Sequence, residues 1–388
     1  MGEILSGWIS IGDQTFERLE LYTNQLDKTF DHFVPAPFGG PILIAHENIM
    51  NIHAASGVEI AKWKWRTAGR IVAISWSLEQ EIVYVMEDGN VLIYNIFGEL
   101  IKSTSMGQEA KDVKIRDAKI FNSKYSTGVA VLTTTNRFFV VNNLKEPRVR
   151  RFFDAEFTNP GLSDSPTWPW TVLALDRHAR IYCMASRDLL TITLSEGHNV
   201  SMEQTEEAKC MCISPDSNYL AILFNQGLVW VGRIDANSIS KQFQVQLTST
   251  DDIPVDVSEI AWCGSDTILG FAPELSQCFI INLKGNIHQE FLPGFVSVIT
   301  EIDSARVYSL YSQDLIRKLP QKLVKIYASG GVSPGERLRL ATEEFLEGSH
   351  RADEYIREGL SLRQRILKFS QRILFLFFFL FSGFPIFG

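Results

Sequence analysis

A chain of 388 residues is too long for one small core and suits one large repeat domain with an appendage. Hydrophobic residues make up 45% and charged residues 21%, the balance of a globular protein, and the net charge of −8 (37 basic, 45 acidic) argues against a nucleic-acid binder. The five cysteines, Cys183, Cys210, Cys212, Cys263 and Cys278, are scattered and odd in number, so they make no disulfide framework and point to a reducing compartment.

The N-terminus, MGEILSGWIS, lacks a basic region followed by an apolar core, so no secretory signal is expected. Gly2 and Ser6 fit the short myristoylation pattern, which is frequent by chance. The first strand-like piece, residues 18–22, alternates polar and apolar and suits an outer strand with one wet face. Pro35, Pro37, Gly39, Gly40 and Pro41 force an irregular turn, and strands are expected at 42–45, 49–52 and 59–65.

Residues 69–99, GRIVAISWSLEQEIVYVMEDGNVLIYNIFGE, hold three apolar runs rich in Val, Ile, Tyr and Trp, at 71–76, 82–86 and 91–96. Asp88-Gly89-Asn90 separates the last two, and Asp-Gly is a hairpin signal because Gly accepts a positive φ. A fourth strand is expected at 100–103. The runs are apolar on both faces, so the sheet is covered on both sides. A four-stranded sheet between copies of itself is a propeller blade.

The pattern returns at 118–122, 128–133 and 137–142, then at 170–176, 179–185 and 189–194. It is clear again from Cys210, in CMCISPDSNYLAILFNQGLVWVGRI. Gly227 corresponds to Gly89, and 227 − 89 = 138, three times 46, a blade-like period. Further strands are expected at 260–263, 267–271 and 278–283, and at 295–300, 306–311 and 314–318 in a shorter last blade. The fold class is therefore all-β: a propeller of seven blades, within a range of six to eight, over residues 1–325. Its closing blade should take strands from both chain ends, since an unclosed ring exposes sheet edges.

Past Leu319 the composition changes. Ser333-Pro334-Gly335-Glu336 reads as a capping box with Pro in the first helical position. Leu338, Ala341, Phe345, Gly348, Ala352 and Tyr355 follow at helical spacing, so an amphipathic helix is expected over 330–360. Its candidate interaction residues are Leu338, Phe345, Tyr355 and Ile356. Trp168 joins them as a candidate on the long loop 158–169, because long loops often carry function. In the tail, 361–388, Arg363, Arg365, Lys368 and Arg372 precede fifteen apolar residues at 373–387, interrupted by Ser382, Gly383 and Pro385. A bilayer span needs roughly 17–25 residues, so a divergent apolar tail is favoured over a tail anchor.

Candidate chemistry is sparse. Gly331–Gly335 matches G-x-S-x-G, but the residue after a nucleophilic serine must donate its N–H, and Pro334 has none. Cys210 and Cys212 lie two apart on a strand and point to one face as small core hydrophobes. The seven histidines are dispersed, and no phosphate-binding or dinucleotide motif occurs. Most tryptophans are expected in the core. No catalytic, cofactor-binding or metal-ligating residue is assigned, and the chain is expected not to be an enzyme. A propeller with a ligand-binding or enzymatic central channel stands as the alternative.

Several pieces carry a family resemblance: FGGPI at 38–42, EDGNVLIYNIFGE at 87–99, SMGQE at 105–109, DAKIF at 117–121, GVAVLTTTNRFFVVNNL at 128–144 and RADEYIRE at 351–358. In these the chain resembles the vacuolar protein sorting-associated protein 16 family, core subunits of the HOPS and CORVET endolysosomal tethering complexes. The resemblance implies a propeller followed by a long α-solenoid, and a non-catalytic scaffold in vesicle tethering and fusion. It implies a cytoplasmic protein, peripheral on late endosomes and the lysosome or vacuole. Its partners would be the other HOPS and CORVET subunits and, through the solenoid, an SM-type syntaxin-binding protein. The resemblance fades past about Leu360, so this chain reads as truncated and is expected to fail as an SM-protein receptor.

Overall fold

Asp88-Gly89-Asn90 closes a hairpin in the computed structural model, which describes residues 8–23, 30–154, 168–175, 178–185, 188–202, 206–235, 238–249, 251–327 and 333–361. Gly89 sits at φ 79°. Its N–H bonds to the Met86 carbonyl at 3.0 Å, and the Asp88 carboxylate accepts the Asn90 N–H at 3.0 Å.

In chain order the first strands are β1 (Trp8–Ile11), β2 (Gln14–Thr23), β3 (His32–Pro35), β4 (Ile42–His46), β5 (Ile49–His53) and β6 (Glu59–Lys64). The hairpin sheet follows as β7 (Ile71–Trp76), β8 (Ile82–Met86), β9 (Asn90–Tyr94) and β10 (Leu100–Ser105), then a short helix α1 (Gln108–Val113). The next sheets are β11 (Ile115–Asn122), β12 (Thr127–Thr133), β13 (Phe138–Val141) and β14 (Val149–Arg151), and β15 (Trp170–Ala174), β16 (Ala179–Ala185), β17 (Asp188–Ile192) and β18 (Gly197–Ser201). After them come β19 (Ala208–Ile213), β20 (Tyr219–Phe224), β21 (Leu228–Ile234) and β22 (Ile239–Gln246), then β23 (Glu259–Trp262), β24 (Thr267–Ala272), β25 (Gln277–Asn282) and β26 (Ile287–Phe291). The last strands are β27 (Phe295–Thr300), β28 (Ser304–Ser309) and β29 (Ser312–Lys318).

These strands form seven antiparallel sheets, and the protein is a seven-bladed β-propeller with a few helices at its C-terminal end. Strands β3, β7, β11, β15, β19, β23 and β27 touch one another in that order and close back on β3, forming the inner ring. The closing blade has the order β1-β2-β29-β28-β27, so both chain ends contribute, as the edge argument requires. It is the largest sheet, because two N-terminal strands extend it. Leu19 pairs with Leu315, and Arg18 with Ile316. The Arg18 guanidinium bonds to the Asp314 carboxylate at 2.6 Å, and Arg317 bonds to Glu17 at 2.7 Å.

The apolar-on-both-faces runs are the middle strands, and every residue of β8, β12 and β24 is buried. Apolar cores fill the seams between successive blades. Trp65, Trp76 and Tyr84 pack between the first and second, and Leu223, Trp262 and Phe279 between the fifth and sixth. The seam between the seventh and first blades is more polar. There Glu301 accepts the Arg306 Nε–H at 3.0 Å and the Phe38 N–H at 2.8 Å. The Gln313 amide donates to the Ala55 carbonyl at 2.7 Å.

A second unit begins at Leu319 and also takes in residues 13–15. It holds α2 (Gln321–Tyr327), α3 (Pro334–Leu346) and α4 (Arg351–Ser361). Ser333 caps α3, its hydroxyl accepting the Glu336 N–H at 3.1 Å. Glu336 does not close the capping box: its side chain is buried and its Oε2 has no hydrogen-bond partner. The stripe expected as one helix is instead broken. Gly348 adopts φ 73°, its N–H bonds to the Phe345 carbonyl, and the Ser349 N–H bonds back to Glu344. That is a left-handed glycine cap, and it turns α4 back on α3 so that Ala341 and Ala352 are both buried.

Candidate protein-interaction face

The inner strands run side by side in one direction and each blade is antiparallel, so all first-to-second-strand loops emerge at one end of the ring. In five consecutive blades, from the seventh through the fourth, these loops carry an exposed apolar tip: Ile302, Phe38, Leu78, Tyr125 and Leu175. Three of them expose well over half their surface, Ile302 at 72%, Phe38 at 64% and Tyr125 at 69%. At the opposite end the second-to-third-strand turns expose chiefly polar residues, Glu47, Asn48, Asp88, Gln226 and Glu274, with Leu275 and Tyr311 the apolar exceptions. The fourth-to-first-strand connections at that end also expose Phe153, Ile253 and Phe291, so what sets the first end apart is the row of five apolar tips on equivalent loops.

The tips are fixed by their bases. The Leu78 N–H donates to the Thr127 hydroxyl of the next blade at 3.0 Å, and that hydroxyl donates to the Asn122 side chain at 2.7 Å. Ser77 Oγ accepts the Glu79 and Glu81 N–H groups at 3.2 and 3.0 Å. Phe38 sits at φ 59°, a left-handed value that bulky residues avoid. Its bond to the buried Glu301 carboxylate holds it there, pointing an aromatic ring outward. Such strain costs about 1–3 kcal/mol and is typical of functional positions.

Cys183, Cys263 and Cys278 are buried, and Cys210 and Cys212 partly so. Burial pushes the Cys210 thiol up to about 11 and those of Cys183 and Cys278 up to about 12, and raises those of Cys212 and Cys263 as well. Cys210 and Cys212 pack against the core between the fifth and sixth blades, as their spacing implied. None is a thiolate nucleophile at neutral pH. Among the described residues no histidine is hydrogen-bonded to a serine, threonine or cysteine. Nor does any group of three or more His, Cys, Asp or Glu residues among them fit a metal ion. On the channel wall Lys119 lies 5.9 Å over the Trp170 ring. The Glu259 carboxyl is raised by burial, and the Lys119 charge opposes that shift. Glu259 keeps solvent contact while protein surrounds it, as a narrow channel dictates.

The residues expected from sequence divide. Leu338, Phe345 and Ile356 are exposed. Tyr355 is half-buried, with the Arg337 and Arg351 guanidiniums 5.7 and 5.9 Å from its ring centre. Trp168 is not available to a partner: it is 6% exposed and packs with Phe138, Phe152 and Trp170. Its apolar neighbours outweigh its position beside a long loop. Residues 158–167 of that loop, Gly331, Val332, Gly2 and the 373–387 run lie outside the described residues. The five loop tips were missed. Their signal was a single bulky apolar residue inside each turn segment, as in Ser77-Leu78-Glu79 and Lys124-Tyr125-Ser126.

Comparison with known proteins gives a family model, Vps16, N-terminal region, that matches residues 5–368. The chain belongs to the Vps16 family. The Drosophila melanogaster vacuolar protein sorting-associated protein 16 homolog is 26% identical over 375 residues, covering 90% of this chain and 43% of its own length. The Dictyostelium discoideum homolog is 26% identical over 380 residues, covering 91% of this chain and 44% of its own. Protein VACUOLELESS1 of Arabidopsis thaliana is 22% identical over 395 residues, with coverages of 91% and 44%. This Vps16-family chain thus spans less than half the length of the curated relatives it matches. Among solved structures it is similar to the Cps50 (Swd1) β-propeller domain, with TM-score 0.55, 9% identity and coverages of 79% and 100%. BBS1N in complex with ARL6DN gives TM-score 0.56, 11% identity and coverages of 78% and 97%. Virginiamycin B lyase from Staphylococcus aureus gives 0.53, 12%, 78% and 99%. At such identities these likenesses concern the fold alone.

Proposed function

We propose that this Vps16-family chain is a non-catalytic scaffold subunit of an endolysosomal tethering complex of the HOPS or CORVET type. It acts in vesicle tethering and fusion on the route to the lysosome or vacuole. The observation that carries the reading is the arc of exposed apolar loop tips on one end of a closed propeller, in a chain whose relatives are vacuolar sorting proteins. Ile302, Phe38, Leu78, Tyr125 and Leu175 present an apolar arc that a partner subunit would cover. The thiols, held protonated by burial, favour a scaffold over nucleophilic chemistry in the channel. Among the described residues no helix is long and apolar enough to cross a membrane. Membrane association then comes through the complex, on late endosomes and lysosomes or the vacuole.

The test is capture from cells. The tagged chain should co-purify with other tethering subunits, and Phe38→Ser with Leu78→Ser and Tyr125→Ser in one chain should lose most of that capture. All three side chains are exposed, so the melting temperature should stay close to wild type, since surface changes usually fall within about 0.5 kcal/mol. Undiminished capture by the triple variant would move the interface elsewhere. Absence of every tethering subunit from the wild-type eluate would defeat the scaffold reading itself.

A further inference from the structure

Two tips of the arc, Leu78 and Tyr125, also wall a groove whose other lining residues the arc does not account for. It lies between the second and third blades and has a volume of about 330 Å³. Leu78, Ile93, Ile101, Tyr125 and Leu144 supply apolar wall, and Leu78, Ile101 and Tyr125 are themselves exposed. The size is at the low end for ligand sites, enough for one or two side chains and small for a nucleotide or flavin.

Its charges are unevenly matched. Lys102 is committed to backbone, its ammonium donating to the Leu144 and Lys145 carbonyls at 2.9 and 2.7 Å. Lys145 is committed to Glu79 in an ion pair. Glu81 is left. It lines the groove, is half-buried, and makes no side-chain hydrogen bond. Partial burial and the nearby Glu79 charge both push its carboxyl above the usual carboxylate range, with Lys145 offsetting them only in part. A cation beside Glu81 would relieve this. With Lys145 on Glu79 and Lys102 on backbone carbonyls, Glu81 is the lining carboxylate left over, and it favours a cation there over a phosphate or an acidic segment.

We propose that this groove binds an extended segment of a partner protein in which a bulky apolar residue stands next to an arginine or lysine. The apolar side chain enters between Leu78, Ile101 and Tyr125, and the cation pairs with Glu81. The groove lies between two blades, and its recognition is of a short linear segment. It is therefore independent of whether the chain belongs to a tethering complex, and purified protein suffices to test it.

The full chain is applied to immobilised octapeptides with degenerate flanks around a central pair: Leu-Arg, Phe-Lys, Leu-Glu or Ala-Arg. Leu-Arg and Phe-Lys peptides should bind, and Leu-Glu and Ala-Arg peptides about tenfold more weakly, as expected for the loss of one partly desolvated contact. Glu81→Lys should shift the preference to Leu-Glu, Glu81→Gln should erase the charge preference, and Ile101→Ser should weaken all peptides. Circular dichroism melting establishes that each variant is folded, and Glu81→Gln, nearly isosteric, carries the test if Glu81→Lys does not fold. Equal binding of the four pairs, no binding of any, or a preference unchanged in both Glu81 variants overturns the proposal. So does a dimer in light scattering that Ile101→Ser dissolves, because the occupant would then be a second copy of the chain.

Discussion

Gly89 shows how far one residue constrains its surroundings. Its φ of 79° is strained for any side chain, and an added Cβ would lie 3.5 Å from the Lys111 nitrogen of α1. Gly89→Val should therefore cost more than the roughly 1 kcal/mol of an ordinary glycine replacement. A urea melt reads this directly, and a negligible shift of the midpoint would contradict the turn. The cysteines give a second residue-scale expectation. An unfolded chain releases thiol protons near pH ~8.5. The folded chain holds the Cys210 proton to about 11 and those of Cys183 and Cys278 to about 12. Between these limits the folded state binds more protons, so stability is full below about pH 8.5 and falls as pH rises, by about 1.4 kcal/mol per unit for each such thiol. Urea midpoints at pH 8, 9 and 10 should decline, and Cys183→Ala should flatten the decline. Thiol reagents at pH 8 should label the buried Cys183, Cys263 and Cys278 only on unfolding.

The closing blade is the element on which the ring depends. Without β1 and β2, the edge of β29 would be bare, a template for pairing with another chain. The Arg18–Asp314 bond pins β2 in register, with the Asp314 side chain almost wholly buried. Arg18 also donates to the Phe291 carbonyl at 2.9 Å, tying β2 to the adjoining blade. Asp314→Ala leaves Arg18 without its carboxylate and should cost about 2–3 kcal/mol, the range of a charged hydrogen bond. Arg18→Ala should cost a similar amount, and the double variant clearly less than the sum, since the two residues share one interaction. Additive losses in a denaturant series would show that the pair contributes nothing of its own. The helical unit carries a parallel lesson. The three-four spacing of apolar residues across 338–355 is real, yet Gly348 divides it. A glycine within a stripe is both a tolerated helical residue and the best helix terminator, and local pattern does not choose between them.

At the scale of the molecule one end of the ring gathers five first-to-second-strand loop tips. Phe38, Leu78, Tyr125, Leu175 and Ile302 come from loops separated by up to 264 residues (302 − 38) and meet only because seven blades close. The triple loop-tip variant described above is the prediction at this scale: fold retained, subunit capture lost. A contrasting variant at the other end, Glu47→Ser with Glu274→Ser, should leave capture intact. Loss of capture in that variant would assign the interface to the opposite end instead. The seam between the seventh and first blades also belongs to this scale. Its buried Arg306–Glu301 pair lies in the blade that closes the ring, and Glu301 reaches the blade that opens it by accepting the Phe38 N–H.

The sequence by itself determined the middle strands, the Asp-Gly hairpin, the three-blade spacing of Gly89 and Gly227, and the Ser333 cap. In each, the decisive interaction is local or the residue is buried on both faces, so composition alone carries the signal. It did not show the outer strands β1, β14, β18, β22 and β26, or β3. Val149–Arg151 is exposed throughout, and Gly197–Ser201 nearly so. A strand with one neighbour and a wet face needs little hydrophobicity, and its pairing partner defines it. Nor could sequence place Trp168 in the core or gather the five loop tips on one end. Exposure is a property of what the rest of the chain covers. Burial of Trp168 and exposure of Phe38 and Tyr125 were decided only when the blades packed face to face and the chain ends met in one sheet.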